Sequence, residues 1–169
     1  MTTRVTFGAG LFMPGLLHIA SIPAQHYGFM LALMSQATSD LPALLQSMAP
    51  VKHPGVYVFA SLPPGANAAA LETIASMLEP EGLSVIVTEA QAIKAGLVIL
   101  FRASWITLQV HSDLHAVGLT AAVATSLSQA GISCNVVAGA FHDHLFVPVE
   151  AGEAAMALLL ALQLHQRPV

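Results

Sequence analysis

The polar loop between residues 111 and 118 carries the side chains best suited to binding a small ligand. It contains His111, Ser112 and Asp113, and Gly118 begins the helical segment that follows. A helix N-terminus presents unpaired amides and the positive end of a dipole, and both attract a carboxylate. Glycine also lets a ligand approach the backbone closely, and a surface position in a first helical turn should tolerate valine. An ordinary N-cap at Ser112 or Asp113 explains the spacing at least as well, so the spacing alone does not establish a ligand site.

A second cluster, His142-Asp143-His144, has side chains that could bind a metal, with His111 as a third nitrogen. Alternate residues of a strand share a face, so His142 and His144 could share a site from which Asp143 points away. Asp143 is, however, a common turn residue. We expect no metal here, and a metal-dependent enzyme is the least favoured interpretation.

Asn135 is unusual on an apolar strand and needs hydrogen-bond partners if it is buried. It could cap the 112 loop or bind the amine of a ligand. The sequence contains no nucleophile motif and no glycine-rich phosphate loop. We therefore expect no catalytic residues and no cofactor, and we do not expect an enzyme.

The elements around the loop follow from periodicity. Apolar residues alternate from Ile106 to Val110, which predicts a strand, and from Gly118 the apolar spacing becomes helical until Gly131. Strands at 134–138 and 145–149 and a helix at 153–162 complete this half. The first half repeats the order less clearly, with strands at 56–60, 83–88 and 97–102, a helical pattern at 71–78 and a short helix at 89–95. A further helix is predicted from Asp40 to Met48, with Ser39 or Asp40 as its N-cap.

The motifs Val117-Gly118-Leu119-Thr120, Gly131-Ile132-Ser133-Cys134-Asn135-Val136 and His142-Asp143-His144-Leu145-Phe146-Val147-Pro148 resemble the ACT domain, in the form found in bacterial proteins with two such units. The resemblance covers roughly residues 40–162, and it implies that the end of the helical pattern at 71–78 is instead a strand before Glu79. It implies an α+β fold of two ferredoxin-like (βαββαβ) units with antiparallel sheets, at 34–103 and 104–164. The second unit lacks its own last strand, and we expect residues 56–60, or their copy in a partner chain, to fill that edge.

The resemblance also implies which residues contact a ligand. ACT domains commonly hold amino acids at this loop, so the contacting positions would be His111, Ser112, Leu114, Val117, Gly118 and Leu119. Asp113 adds an acid suited to a cationic group, and it stands with His115 where the family pattern has a serine and an acid. These departures affect the identity of the ligand and leave the fold unchanged.

Composition restricts the classes of partner. Because 56% of the residues are hydrophobic and 8% are charged, we expect a homo-oligomer that covers apolar surface. A net charge of -4 without a basic face argues against nucleic acid, and the apolar run within residues 1–33 is too interrupted for a membrane helix. The single cysteine suits a reducing cytoplasm. Residues 1–33 are predicted to be an extra segment before a natural start at Met34. A signal peptide that begins at Arg4 is the alternative, although Ile22-Pro23-Ala24 is a poor cleavage site.

The sequence thus favours a cytoplasmic regulatory protein that senses an amino acid or a similar small zwitterion. The alternative is an interaction module that assembles without a ligand. A thermal-shift screen over the amino acids would separate the two.

Overall fold

The computed structural model describes residues 39–66, 68–110 and 117–164, which belong to one compact unit. The predicted extra segment 1–33 lies outside these ranges. The strands are β1 (Ala49–Lys52), β2 (Tyr57–Leu62), β3 (Ala75–Glu79), β4 (Gly82–Thr88), β5 (Ile99–Gln109), β6 (Asn135–Ala138) and β7 (Asp143–Pro148). The helices are α1 (Leu41–Ser47), α2 (Glu89–Lys94), α3 (Leu119–Gln129) and α4 (Gly152–Leu164), and a 3₁₀ turn (Val149–Ala151) precedes α4.

The seven strands of the described ranges form one antiparallel sheet in the order β3-β4-β2-β5-β7-β6, and β1 lies beside the second half of β5. The first unit comprises β2, β3, β4, α2 and the first half of β5. The second comprises the rest of β5, α3, β6, β7 and α4. This is the expected α+β arrangement of two ferredoxin-like units, which confirms the predicted fold class.

One strand, β5, was predicted as two. It pairs with β2 over residues 99–103 and with β7 over residues 103–108, so it serves both units. The boundary predicted between residues 103 and 104 falls inside this strand and stays a prediction. No turn separates the two halves because Ala103, Ser104 and Trp105 continue the β-ladder that their neighbours begin.

The missing last strand of the second unit is supplied by β1. Residues 49–52 run antiparallel to residues 106–109 of β5, on the side of β5 away from β7. The expectation that residues 56–60 fill this edge is therefore wrong, because β2 is paired with the first half of β5. The predicted helix before β1 is confirmed as α1, and Asp40 caps it by accepting a hydrogen bond from Ala43 N at 3.2 Å.

The helical spacing over residues 71–78 does not produce a helix, and the strand that the resemblance implies before Glu79 is confirmed. Ala68 and Leu71 pack on the core of the first unit from a loop, and residues 75–79 form the edge strand β3. Every residue of β3 has a partner in β4, and Ile74 N also donates to Ile86 O at 2.7 Å. Pairing with an adjacent strand outweighs a helical spacing only two turns long.

Both faces of the sheet are packed. On the helix side, Ile106, Leu108, Leu145 and Val147 are buried with α1, α3 and α4. On the opposite face, Phe146 and Tyr57 are buried in an aromatic cluster with Phe59, Phe101 and Trp105. Strand alternation produces both layers. None of the helices in the described ranges is long and apolar enough to cross a bilayer.

Candidate functional site

The N-terminus of α3 is where the predicted ligand loop joins the described structure. Gly118 is the N-cap at φ 108°, and among the described residues no side chain caps the first turn of the helix. Gly118 O accepts a hydrogen bond from Ala122 N at 2.8 Å, so the helix begins regularly. The other predicted contact residues of the loop, His111, Ser112, Asp113 and Leu114, lie outside the described residues.

The two remaining predicted residues of this segment differ sharply in exposure. The side chain of Val117 is 84% exposed, whereas Leu119 is 3% exposed and belongs to the helix-side core. The side chain of Leu119 packs in the core that holds α3 on the sheet, and a contact of Leu119 with a ligand stays a prediction. Position 117 is where a larger side chain would change access to the first-turn amides.

Leu41 from α1 covers Gly118, a contact that the sequence did not reveal. A Cβ added at Gly118 would lie 2.9 Å from Leu41 Cδ2, and the positive φ disfavours any L side chain there. The expectation that the fold tolerates valine at this position is therefore wrong. Leu41 and Gly118 line a shallow groove of about 540 Å³ between α1, α3 and α4.

Asn135 does not line this groove. It begins the edge strand β6, where its partner is Phe146 of β7, and its side chain is exposed. Because the amide reaches solvent, the sequence argument that a buried asparagine needs partners does not apply. A role in capping the loop or binding an amine stays a prediction.

The histidine pair is divided between two environments. His142 Nδ1 lies 3.5 Å from Val110 O, at the residue that leads into the ligand loop, whereas His144 belongs to the aromatic face. Burial raises the pKa of the Asp143 carboxyl, against the charges of its two histidine neighbours. Within the described ranges, no three histidine, cysteine or acidic side chains are grouped to hold a metal ion. His111, the third nitrogen of the metal hypothesis, is outside those ranges.

A hydrogen-bonded group on the aromatic face was missed by the sequence reasoning. Thr107 Oγ1 lies 2.8 Å from His53 Nε2 and 3.0 Å from His144 Nδ1, and Trp105 Nε1 donates to the same His144 nitrogen at 3.2 Å. The rings of His53 and Trp105 stack with centroids 3.6 Å apart. Alternation along β5 places Trp105 and Thr107 on one face, but only the register of β1 brings His53 to them.

Comparison with protein families and solved structures agrees with this architecture. An ACT-domain family model matches residues 36–104 and a second one matches residues 101–161. The two matches overlap inside β5, the strand that both units use. No curated protein matches the chain in sequence.

Among solved structures, a protein of unknown function from Vibrio cholerae, described as a possible transport protein, is 46% identical. The match covers 73% of this chain and 95% of that one, with a TM-score of 0.67. A protein from Agrobacterium tumefaciens is 20% identical over 69% of this chain and 89% of its own, with a TM-score of 0.56. The ligand-free regulatory subunit of aspartate kinase from Thermus thermophilus is 9% identical over 69% and 97%, with a TM-score of 0.55.

The last two resemble this chain in fold alone, whereas the Vibrio cholerae protein is related in sequence over nearly its whole length. The two ACT-domain matches together span both ferredoxin-like units of the sheet, and they meet in the strand that the units share. These matches and the sequence relationship to the Vibrio cholerae protein establish that the chain belongs to the ACT-domain family.

Proposed function

We propose that this protein is a regulatory sensor that binds an amino acid or a similar small zwitterion at residues 111–118. The observation that carries the proposal is the first turn of α3, which no side chain of the described residues caps and which lies in the second ACT unit behind a glycine N-cap and the exposed Val117. Free first-turn amides can bind a carboxylate, and Asp113 in the preceding loop would favour a ligand that also carries a cation.

Regulation follows from where the loop is attached. It connects β5, which both units share, to α3, which packs on the helix-side core. A ligand that binds one arrangement of this junction more tightly shifts the population toward that arrangement. The proposed protein is therefore a non-catalytic sensor that passes its state to a partner or to its own homo-oligomer. Aspartate kinase regulatory subunits, which share the fold, give this regulatory role a precedent.

The cellular setting is proposed on composition. The net charge of -4 disfavours nucleic acid, and one thiol among 169 residues suits a reducing cytoplasm. That thiol, Cys134, is half-buried, and burial raises its pKa, which favours the unreactive protonated form.

The test is a thermal-shift screen of the full chain against the twenty common amino acids, followed by calorimetry. A ligand at a hundred times its Kd stabilises the native state by about 2.7 kcal/mol, enough for a clear rise in Tm. Val117→Phe should weaken binding at least about tenfold by covering the first-turn amides, and Asp113→Ala should weaken binding selectively for cationic ligands.

Val98→Phe is the matched control, because Val98 is 71% exposed and lies before β5, in the first unit. Equal loss of affinity in both valine variants would mean that position 117 has no special role. The absence of any amino-acid ligand would overturn the proposal.

The alternative, an assembly module without a ligand, is favoured by one observation. Met77 and Leu78 on the edge strand β3 are 65% and 83% exposed, and such an edge can pair with another chain. If Leu78→Lys lowers the mass measured by sedimentation while no amino acid alters stability, the module is the better description.

A further inference from the structure

The face of the sheet opposite the helices contains a cavity that the proposed amino-acid site does not use. Its volume is about 440 Å³, within the range of small-molecule sites. Both ends of the sheet contribute to its walls, and the residues that matter here are Ile74, Trp105, Val137, Gly139, His144 and Phe146. Leu145 and Val147, the neighbours of Phe146, point to the other face and pack with α3. The cavity and the α3 N-terminus are therefore on opposite sides of the sheet.

His144 gives the cavity a hydrogen-bond donor of defined orientation, in a wall that also contains the hydroxyl of Thr73. An indole N–H can only donate, so the bond from Trp105 Nε1 to His144 Nδ1 requires that nitrogen to be unprotonated. The proton of the neutral ring is then on Nε2. Thr107, held in turn by His53, fixes the ring orientation through its contact with the same Nδ1. A Cβ placed on Gly139, itself in the cavity wall, would lie 3.2 Å from His144 Nε2, so this edge of the ring faces the cavity.

The cavity is also electrically neutral. None of the described side chains in its wall is an acid, a lysine or an arginine. Burial and the neighbouring His142 and His53 lower the pKa of His144, which favours the uncharged ring. A charged ligand would lose its hydration without gaining a counter-charge, and that exchange is unfavourable.

We propose that this cavity is a second ligand site, which binds a small uncharged ring-containing molecule carrying one hydrogen-bond acceptor. The ring packs against Trp105, Phe146 and Val137, and the acceptor receives the hydrogen bond of His144 Nε2. The proposal does not depend on amino-acid binding at α3.

The test uses benzamide and benzoate as probes of equal shape with different charge. Trp105 is the only tryptophan of the chain, so its fluorescence reports on the cavity wall directly, and calorimetry gives the affinity. The full chain should bind benzamide saturably, with benzoate at least about tenfold weaker. A response that does not saturate, or a preference for benzoate, would overturn the proposal.

Three variants locate the binding. Val137→Phe fills the cavity and should abolish benzamide binding, whereas the same change at the exposed Val98, outside the cavity, should leave it unchanged. His144→Phe keeps a ring and removes the donor, which should weaken benzamide about tenfold. Circular dichroism shows whether each variant is folded. If His144→Phe is unfolded, the comparison of Val137→Phe with Val98→Phe decides whether benzamide binds in the cavity. Unchanged affinity in folded Val137→Phe refutes the site.

The two proposals can fail separately. Val137→Phe should retain any amino-acid binding, and Val117→Phe should retain benzamide binding. A loss of both ligands in either variant would show that the two sites are not independent.

Discussion

The contact between Leu41 and Gly118 predicts a measurable coupling at the N-terminus of α3. Gly118→Ala places a Cβ 2.9 Å from Leu41 Cδ2 on a backbone with φ 108°. Gly131 provides a matched control at the other end of α3, because its φ is 73° and no heavy atom lies within 4 Å of an added Cβ. Both alanine variants therefore have the conformational cost of a positive φ, which is larger at 108° than at 73°, and only Gly118→Ala also has a steric cost.

The magnitudes follow from these two terms. An L residue in the left-handed region costs about 1–2 kcal/mol, which is the whole effect expected for Gly131→Ala. At Gly118, crowding of Leu41 adds a further cost of about 1–2 kcal/mol, near the lower end for overpacking because Leu41 is at the partly buried edge of the core. We expect Gly118→Ala to lower the free energy of unfolding by about 2–4 kcal/mol.

The measurement is urea denaturation of four variants. These are Gly118→Ala, Gly131→Ala, Leu41→Ala and the double variant Leu41→Ala/Gly118→Ala. Removing Leu41 relieves the crowding, so the double variant should be more stable than the sum of the single effects by about 1 kcal/mol. Additivity within about 0.3 kcal/mol would refute the reasoning, because it would mean that Leu41 does not pack on Gly118. Equal losses at Gly118 and Gly131 would lead to the same conclusion.

Two further predictions concern β1 and the histidines. His53 N donates to Trp105 O, so the N–H of Val51, two residues earlier on the same antiparallel strand, also faces β5. Val51→Pro removes this N–H and should lower the free energy of unfolding, measured in urea, by about 2–3 kcal/mol. A loss no greater than that of Val51→Ala would contradict the pairing of β1 with β5. Burial lowers the pKa of His53 and of His144 in the folded protein below the ordinary 6.5. As the pH falls below 6.5, the unfolded chain therefore takes up protons before the folded one does. The free energy of unfolding should be at its full value above pH 6.5 and should decrease as the pH falls below 6.5. The raised pKa of Asp143 changes stability in the opposite direction, and it does so at more acidic pH. If the stability of a His144→Gln variant depended as steeply on pH as that of the parent protein, the assignment of this pH dependence to His144 would be refuted.

Local sequence rules predicted the second unit well. The buried stripe Leu119, Val123 and Leu127 and the positive φ of Gly131 are as the periodicity and the C-cap residue indicate. In this half, α3 buries one apolar stripe and ends just before a glycine with a left-handed backbone. Such signals are contained within a few neighbouring residues.

The errors arise where pairing with another strand decides. Residues 75–79 carry a helical spacing, but they pair with β4 in a tight hairpin. Residues 49–52 are too few for a pattern, yet they complete the sheet of a unit that begins some fifty residues later. The aromatic-face network escaped detection for the same reason, because it depends on the register between β1 and β5.

The shared strand explains how a binding event in one unit can reach the other without a hinge. Ala103 is fully buried and pairs with Tyr57 of the first unit and with Pro148 of the second. At its far end β5 leads through Val110 into the proposed ligand loop. A shift of that end cannot be absorbed by a flexible linker, since β5 is a single strand from residue 99 to residue 109. A ligand bound at the proposed loop would therefore also act on the strand on which the first unit closes its sheet, and we expect the two units to respond as one cooperative body.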